Sequence, residues 1–389
     1  MNCQELAQKY VMNTYARKPI CLVSGKGATC YDENQKKYID FGSGIGVNAL
    51  GYCDEDWSAA VAKQSQRLQH TSNLYFTQPM TKVAESLCLK SGYAKVFFGN
   101  SGAEANEGAI KLARKYSLDK YGEAKQRHKI ISLVNSFHGR TITTLAATGQ
   151  AVFHQSFHPF TTGFDYAQAN DFADLVAKLD DSVCAVMLEF IQGEGGVNPL
   201  NQAYVKEVFA LCQSKDILVI ADEVQTGVGR TGKFLASEHY GVQPDITTLA
   251  KGLGGGLPIG AFLCNEKLAD CFQYGDHGTT FGGNPVVCAG AQVVLEKVDE
   301  SLLQSVLAKE TLIRETLEAC PEVVQIDGLG LMLGIQLKEK QASAVLDACL
   351  AAGLIVLTAK DKIRLLPPLN ISEIELKTGL TILLNVLNH

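Results

Sequence analysis

The stretch Ile217-Leu218-Val219-Ile220-Ala221-Asp222-Glu223-Val224-Gln225, with its downstream counterpart Ile246-Thr247-Thr248-Leu249-Ala250-Lys251, decides the fold. Its first five residues are apolar, rich in β-branched side chains and too few for a helix, so they read as a buried parallel strand. Asp222 follows at the strand end. The second run delivers Lys251 in the same way, and Gly252, Gly254, Gly255 and Gly256 come at once after it. A carboxylate and an amine thus stand at the tips of two strands, and strand tips are where open α/β sheets hold their ligands.

A semi-buried carboxylate needs a cationic partner, and a lysine among apolar residues and glycines tends to lose its proton and become nucleophilic. Pyridoxal phosphate needs both groups, an acid to keep its ring nitrogen protonated and an amine to condense with its aldehyde. Each residue also has an ordinary reading, Asp222 as a turn cap and Lys251 as a solvated surface lysine. The rest of the chain decides between them.

Working outward, 389 residues suit two or three domains, and 46% apolar content is ample for a large core. A formal net charge of -6 provides no basic surface for nucleic acid. Met1 to Tyr10 lacks an apolar signal core and no apolar run reaches the length of a membrane span, so no membrane partner and a cytoplasmic location are expected. The 12 cysteines lie scattered from Cys3 to Cys349 without a Cys-x-x-Cys pair, which suits reduced thiols rather than a disulfide framework or a metal site. Strand-like runs alternate with helix-like ones, the pattern of an α/β fold.

Upstream, Lys95 to Gly99 reads as a strand that leads through Asn100 and Ser101 into a helix with Ala105, Ala109, Leu112, Ala113 and Tyr116 on one face. Ser101, Gly102 and Ala103 then sit at the positive end of that helix, where free N–H groups can hold a phosphate, or where Ser101 is simply an N-cap. Lys129 to Leu133 is a further strand, followed by Phe137-His138-Gly139-Arg140-Thr141. There an aromatic can cover a flat ring and a guanidinium can grip a carboxylate, while His138 reads as packed structure. The strand Ala185 to Leu188 ends in Glu189, with Gln192-Gly193-Glu194-Gly195-Gly196 beyond it. Paired glycosidase acids are conceivable at Glu189 and Glu194, but a loop acid that neutralises a nearby arginine fits better.

Near the N-terminus, Ala28 to Asn34 reads as a hairpin and Phe41 to Gly46 as a glycine-rich turn or substrate-facing loop. Gly227-Val228-Gly229-Arg230-Thr231-Gly232-Lys233 has the spacing of a nucleotide-binding loop. Phe234 stands where a magnesium-binding hydroxyl belongs, however, and no fresh strand precedes the run, so that reading is rejected. Beyond Lys251, a loop of hydroxyls and glycines from Gly278 leads to a helix starting near Pro285. Leu331 to Ile335 reads as a strand, Leu354–Leu357 with Ile363–Leu366 as a hairpin, and Ser372 with Glu375 as the capping box of a final helix. Arg364 lies inside an apolar strand and must have a carboxylate partner, structural or from a substrate.

Over nearly its whole length the chain resembles the class III pyridoxal phosphate aminotransferases. The matching runs are SGAEANEGAIKLARK from Ser101, FHGRT from Phe137, QGEGG from Gln192, ADEVQTGVGRTGKF from Ala221, LAKGLGGGLPIGA from Leu249 and HGTTFGGNP from His277. The resemblance implies a fold-type-I transferase, with a central, mostly parallel seven-stranded sheet between helices and a smaller α/β C-terminal domain. Residues 1–48 are expected to pack with that small domain (277–389), leaving 49–276 as the large cofactor-binding domain.

It further implies that Lys251 condenses with the cofactor and then shuttles a proton, Asp222 holds the ring nitrogen, Gln225 the ring hydroxyl oxygen, Phe137 the ring face, and Ser101, Gly102 and Ala103 the phosphate. Thr280 is implied to reach the phosphate of a neighbouring subunit, which makes the protein a homodimer with shared active sites. Arg140, with Thr279, would hold the carboxylate distant from the cofactor, and Arg364 the near one, with Glu194 neutralising Arg364 in between. The implied reaction is ping-pong amino transfer from N2-acetylornithine to 2-oxoglutarate, in arginine synthesis. Succinylornithine, acetyl-lysine, ornithine and 4-aminobutyrate are alternative donors; another pyridoxal enzyme type and a cofactor-binding homologue without turnover are the alternatives of other classes.

Two departures stand out. Gly51-Tyr52-Cys53-Asp54-Glu55-Asp56 replaces the family's Gly-His-Cys-His-Pro turn, which puts the local geometry there in doubt. Ile45 stands where ornithine-using relatives carry a tyrosine, which favours an acylated donor.

Overall fold

A computed structural model describes residues 1–389. The Ile217 run forms the strand Leu218–Asp222, and its five residues are all buried. Alternate side chains serve opposite faces of the sheet, as the two-residue period of a strand requires. Val219 and Ala221 pack with Tyr204, Val205 and Val208 of the helix Gln202–Ser214. Leu218 and Ile220 pack with Ala109, Ile110 and Ala113 of the helix Gly102–Tyr121. A strand covered on both faces has no polar side to show, which is why the sequence is continuously apolar there.

Seven strands make the central sheet, in the order Lys95–Gly99, Gly260–Cys264, Ile246–Leu249, Leu218–Asp222, Val183–Leu188, Lys129–Leu133 and Phe164–Ala167. Gly260–Cys264 runs antiparallel to both neighbours, and the other observed pairings are parallel. The register sets Asp222 opposite Thr248, so Lys251 emerges three residues beyond a residue that flanks the carboxylate.

The C-terminal part builds a four-stranded antiparallel sheet, Val323–Leu329, Met332–Leu337, Lys362–Leu365 and Leu357–Ala359, with the helices Glu300–Glu318, Ala342–Ala352 and Glu373–Asn388. The expected capping box is formed, with Ser372 Oγ accepting from the Glu375 N–H. Leu376, Leu380, Leu383 and Leu387 are buried beneath it.

Two expected hairpins are redrawn. The run Leu354–Leu357 divides at Val356, because Leu354–Ile355 leaves to pair in parallel with Lys37–Asp40 and only Leu357–Ala359 pairs back onto Lys362–Leu365. Backbone bonds to Gly353 O and Ile355 O from Ile39 N and Phe41 N hold that exchange. Thr29–Asp32 is the middle strand of an antiparallel trio with Leu22–Lys26 and Lys37–Asp40, and its turn comes later than expected, with Gln35 at φ 62. Farther on, the helix Pro285–Lys297 begins under an Asn284 cap and packs against the helices Glu55–Ser65 and Gln78–Ser91.

Candidate active site

At the carboxyl ends of the central strands lies a cavity of about 470 Å³, and Asp222 and Lys251 both line it. The backbone at Lys251 is strained, with φ 39 after an irregular Ala250, and strain of this kind persists where the surroundings over-determine it. Burial lowers the Lys251 pKa and Arg364 pushes the same way, against the pull of Glu194, Asp222 and Glu189. The amine is therefore biased toward its neutral, nucleophilic form.

Asp222 is 4% exposed and is held on three sides. Its Oδ2 accepts from Asn106 Nδ2 at 2.8 Å and lies 2.8 Å from His138 Nδ1, while Oδ1 accepts from the Val224 N–H at 3.0 Å. Asn106 is in turn oriented by Thr248, whose hydroxyl donates to Asn106 Oδ1 at 2.7 Å, and by its own donation to the His138 carbonyl at 2.7 Å. These three polar residues extend the set read from the sequence. A signal for Asn106 exists, since it interrupts the apolar face of its helix, and a buried polar side chain must have partners. His138 is packed as expected, but against the carboxylate itself.

Ser101 caps the helix Gly102–Tyr121, accepting from the Glu104 N–H at 3.2 Å. The first-turn N–H groups of Gly102 and Ala103 have no partner within the helix and border the cavity. Gly102 is required there, because a Cβ would stand 2.7 Å from Val224 Cγ1. Phe137 forms another wall, and the Arg140 guanidinium lies 5.5 Å from its ring centre and 4.1 Å from that of Phe153. Arg140 makes no salt bridge and is exposed at the mouth.

Arg364 finds the carboxylate partner that burial demands. Its Nη1 donates to Glu194 Oε1 at 2.6 Å and to Gln225 Oε1 at 3.3 Å, and its Nε is buried without a partner. Burial is the largest influence on the Glu194 carboxyl and would raise it, but the Arg364 charge and hydrogen bond, joined by Lys251 and Gln225, together outweigh it and the net shift is downward. Glu189 meets no arginine. It accepts N–H bonds from Phe137 at 2.9 Å and Gly193 at 3.3 Å, and burial pushes its pKa up to about 7. The loop acid expected beside an arginine is thus Glu194.

Thr279 and Thr280 are not among the residues lining this chain's cavity. Thr279 Oγ1 accepts from Asn100 Nδ2 at 3.2 Å, beside Ser101, and Thr280 is exposed. The Gly227 to Lys233 run forms a loop with Arg230 buried at its centre rather than a strand–loop–helix unit. At the departing turn, Tyr52 Oη donates to Asp40 Oδ2 at 2.7 Å, and Asp54 caps the helix Glu55–Ser65 and pairs with Lys297 at 2.7 Å. Local geometry there is therefore well braced without histidines.

Comparison with known proteins agrees with the geometry. Residues 10–387 match the Aminotransferase class-III family. A protein named acetylornithine aminotransferase from Haemophilus ducreyi is 52% identical over 99% of this chain and 98% of its own length. The crystal structure of N-acetylornithine aminotransferase from Stenotrophomonas maltophilia superposes with a TM-score of 0.85 at 36% identity, covering 99% of this chain and 98% of that one. An ornithine aminotransferase from Toxoplasma gondii, described with partial occupancy of PLP at its active site, gives 0.91 at 32% identity, covering 99% and 93%. With family, sequence and three-dimensional likeness all running nearly end to end, the chain belongs to the class III aminotransferases.

Proposed function

We propose that the chain transfers the ω-amino group of N2-acetylornithine to 2-oxoglutarate, yielding N-acetylglutamate 5-semialdehyde and glutamate, with pyridoxal phosphate as its cofactor. Relatives named acetylornithine aminotransferase, similar over nearly the full chain, support the substrate pair and a place in arginine synthesis. The cavity suits this cofactor: unpaired N–H groups of Gly102 and Ala103 stand at a helix start, and a buried carboxylate and an amine border the same space. When bound, the cofactor supplies an aldehyde carbon that captures the amine and a ring that takes up electron density from the substrate carbon.

The chain's own residues do the rest. Ser101, Gly102 and Ala103 hold the phosphate, Phe137 covers the ring, Gln225 holds the ring hydroxyl oxygen, and Asp222, fixed by Asn106 and His138, keeps the ring nitrogen protonated. Lys251 Nζ, biased by burial toward its neutral form, takes the proton from the carbon that bears the donor's amine. Arg140, with Thr279, grips the donor's distant carboxylate, and Arg364 grips the α-carboxylate of glutamate once Glu194 moves aside.

The observation that carries this reading is that Arg364 is paired at 2.6 Å with Glu194, which lines the cavity, while Arg140 on the same cavity makes no salt bridge. One guanidinium is neutralised while the other awaits a carboxylate, as two substrates with carboxylates at different distances require. A donor panel tests it: N2-acetylornithine, succinylornithine, acetyl-lysine, ornithine and 4-aminobutyrate, each with 2-oxoglutarate, following glutamate and the absorbance of the bound cofactor. N2-acetylornithine is expected to give the highest kcat/KM, and absence of glutamate or a preference for free ornithine or 4-aminobutyrate would overturn the reading.

The working unit in this reading is a homodimer. Phe76 (96% exposed) and Phe281 (62%) leave large apolar surface uncovered near the Thr279–Thr280 loop, and a partner that buries it would receive Thr280 at its phosphate site. Residues 1–48 group with the small domain (277–389) around the large one (49–276); the pairing of Lys37–Asp40 with Leu354–Ile355 supports the first grouping. A cytoplasmic location belongs to the same reading. No helix is long and apolar enough to cross a membrane.

A further inference from the structure

The loop that mimics a nucleotide-binding motif has an unexpected centre. Arg230 is 2% exposed and makes no salt bridge, and its Nη2 is buried without any partner. Burial alone pulls its pKa down, with no charged neighbour to offset it. An unpaired buried guanidinium is expensive, and an apolar side chain of the same size would fill the space at lower cost. Its two remaining contacts therefore matter: Nη1 donates to the carbonyl of Leu331 at 3.0 Å and to that of Pro367 at 2.5 Å.

Those carbonyls lie side by side at one end of the strand pair that carries Arg364. Leu331 immediately precedes Met332–Leu337 and Pro367 lies just beyond Lys362–Leu365, so in this antiparallel pair both stand at the same end, and the Arg364–Gly334 pair follows farther along the ribbon. The backbone reinforces the joint, because Arg230 O accepts from the Leu331 N–H at 2.9 Å. Gly330, at φ +58, sits so close to Arg230 O and Thr231 that a Cβ would collide with the backbone. On its other side the loop continues from Asp222 to Gln225, and Gln225 touches Arg364 at 3.3 Å. One guanidinium nitrogen thus joins the segment after the ring-facing carboxylate to the near end of both strands of the pair bearing the carboxylate-binding arginine. A lysine stem ends one bond short of the arginine Nη1, so its ammonium does not reach both fixed carbonyls in the same geometry.

We propose that Arg230 is a positioning residue, which sets the distance between Arg364 and the cofactor site and so tunes recognition of the α-carboxylate substrate. The proposal rests on the reading that Arg364 takes the α-carboxylate of glutamate. Holoenzyme carrying Arg230→Lys is measured in each half-reaction separately, with glutamate and with N2-acetylornithine, alongside the absorbance of the bound cofactor. Loss of one charge-assisted hydrogen bond at the joint is expected to raise KM for glutamate about tenfold, change KM for N2-acetylornithine less than about twofold, and leave the absorbance unaltered.

Arg364→Lys is the control. If it fails to affect glutamate selectively, the reading of Arg364 falls. If it is selective while Arg230→Lys moves both KM values equally, or neither, the role of Arg230 is refuted. Gly330→Ala wedges the same joint with Arg230 intact and substitutes for Arg230→Lys should that variant not fold; a selective rise in the glutamate KM supports the proposal and an equal effect on both substrates overturns it.

Discussion

Replacing Glu194 by Gln probes the proposed division of labour between the two arginines, because it removes a charge and keeps an acceptor of the same shape beside Arg364. Two opposite charges about 4 Å apart attract by about 4 kcal/mol at an effective dielectric constant near 20. The Glu194 side chain remains 33% exposed. Solvent screening and the ordering of its side chain cut the net value to about 1–2 kcal/mol, or roughly five- to thirty-fold in an equilibrium constant. In the wild type an arriving α-carboxylate must displace Glu194 from Arg364; in the variant it displaces a neutral amide, so glutamate is expected to bind tighter by that factor. N2-acetylornithine should bind more weakly, since its complex leaves the Arg364 guanidinium without a counter-charge.

Single-turnover absorbance changes with each substrate alone give the two dissociation constants. Because the Glu194 carboxyl lies below its ordinary range, the pair is ionised at neutral pH and the contrast between wild type and variant disappears only in acid, as pH falls through that lowered pKa. Equal shifts of both substrates in the same direction, or weaker glutamate binding with N2-acetylornithine unchanged, refute the reasoning.

Three further perturbations separate the parts of the site. Gly102→Ala sets a Cβ 2.7 Å from Val224 Cγ1, an overpacking worth about 1–3 kcal/mol at the proposed phosphate cradle. Equilibrium dialysis is expected to show cofactor affinity reduced about tenfold or more, and unchanged affinity would remove the cradle from the account. Asn106→Leu takes one donor from Asp222 and orphans the Thr248 hydroxyl, at about 1–3 kcal/mol for each buried group left unpaired. Both half-reactions should slow together and the thermal midpoint should fall, whereas a loss confined to one half-reaction contradicts a role through Asp222. Lys251→Met should stabilise the cofactor-free protein at neutral pH. With its pKa lowered, folded Lys251 binds fewer protons than unfolded lysine, so wild-type stability rises with pH toward the ordinary value of 10.5; thermal melts of the variant should lose that slope, and a steeper slope would be inconsistent with a buried amine.

The central sheet is legible because strands covered on both faces are written as unbroken apolar runs, and the residue after each run is then placed by the topology. Asp222 and Lys251 follow from that rule, and they border one cavity. Arg364 is legible for another reason: a charge inside an apolar strand demands a partner, and Glu194 is the partner, 170 residues away in sequence. What surrounds Asp222 is harder to read. Asn106 and His138 meet it across sequence separations of 116 and 84, and only the folding of three strands against one helix brings them together. The strand exchange at Val356 escapes for a similar reason, since a short apolar run does not specify which of two available edges it will join. Arg230 is legible only as a failed motif. Its glycines fit a phosphate loop, and the carbonyls it grips lie 101 and 137 residues away.

The proposed chemistry depends on the Lys251 amine as the group that holds the cofactor. Protein reconstituted with pyridoxal phosphate, reduced with borohydride, digested and analysed by mass spectrometry should carry one phosphopyridoxyl adduct, on the peptide containing Lys251, and Lys251→Met should carry none. An adduct on a different lysine, or an unmodified Lys251 peptide from fully loaded protein, would contradict it.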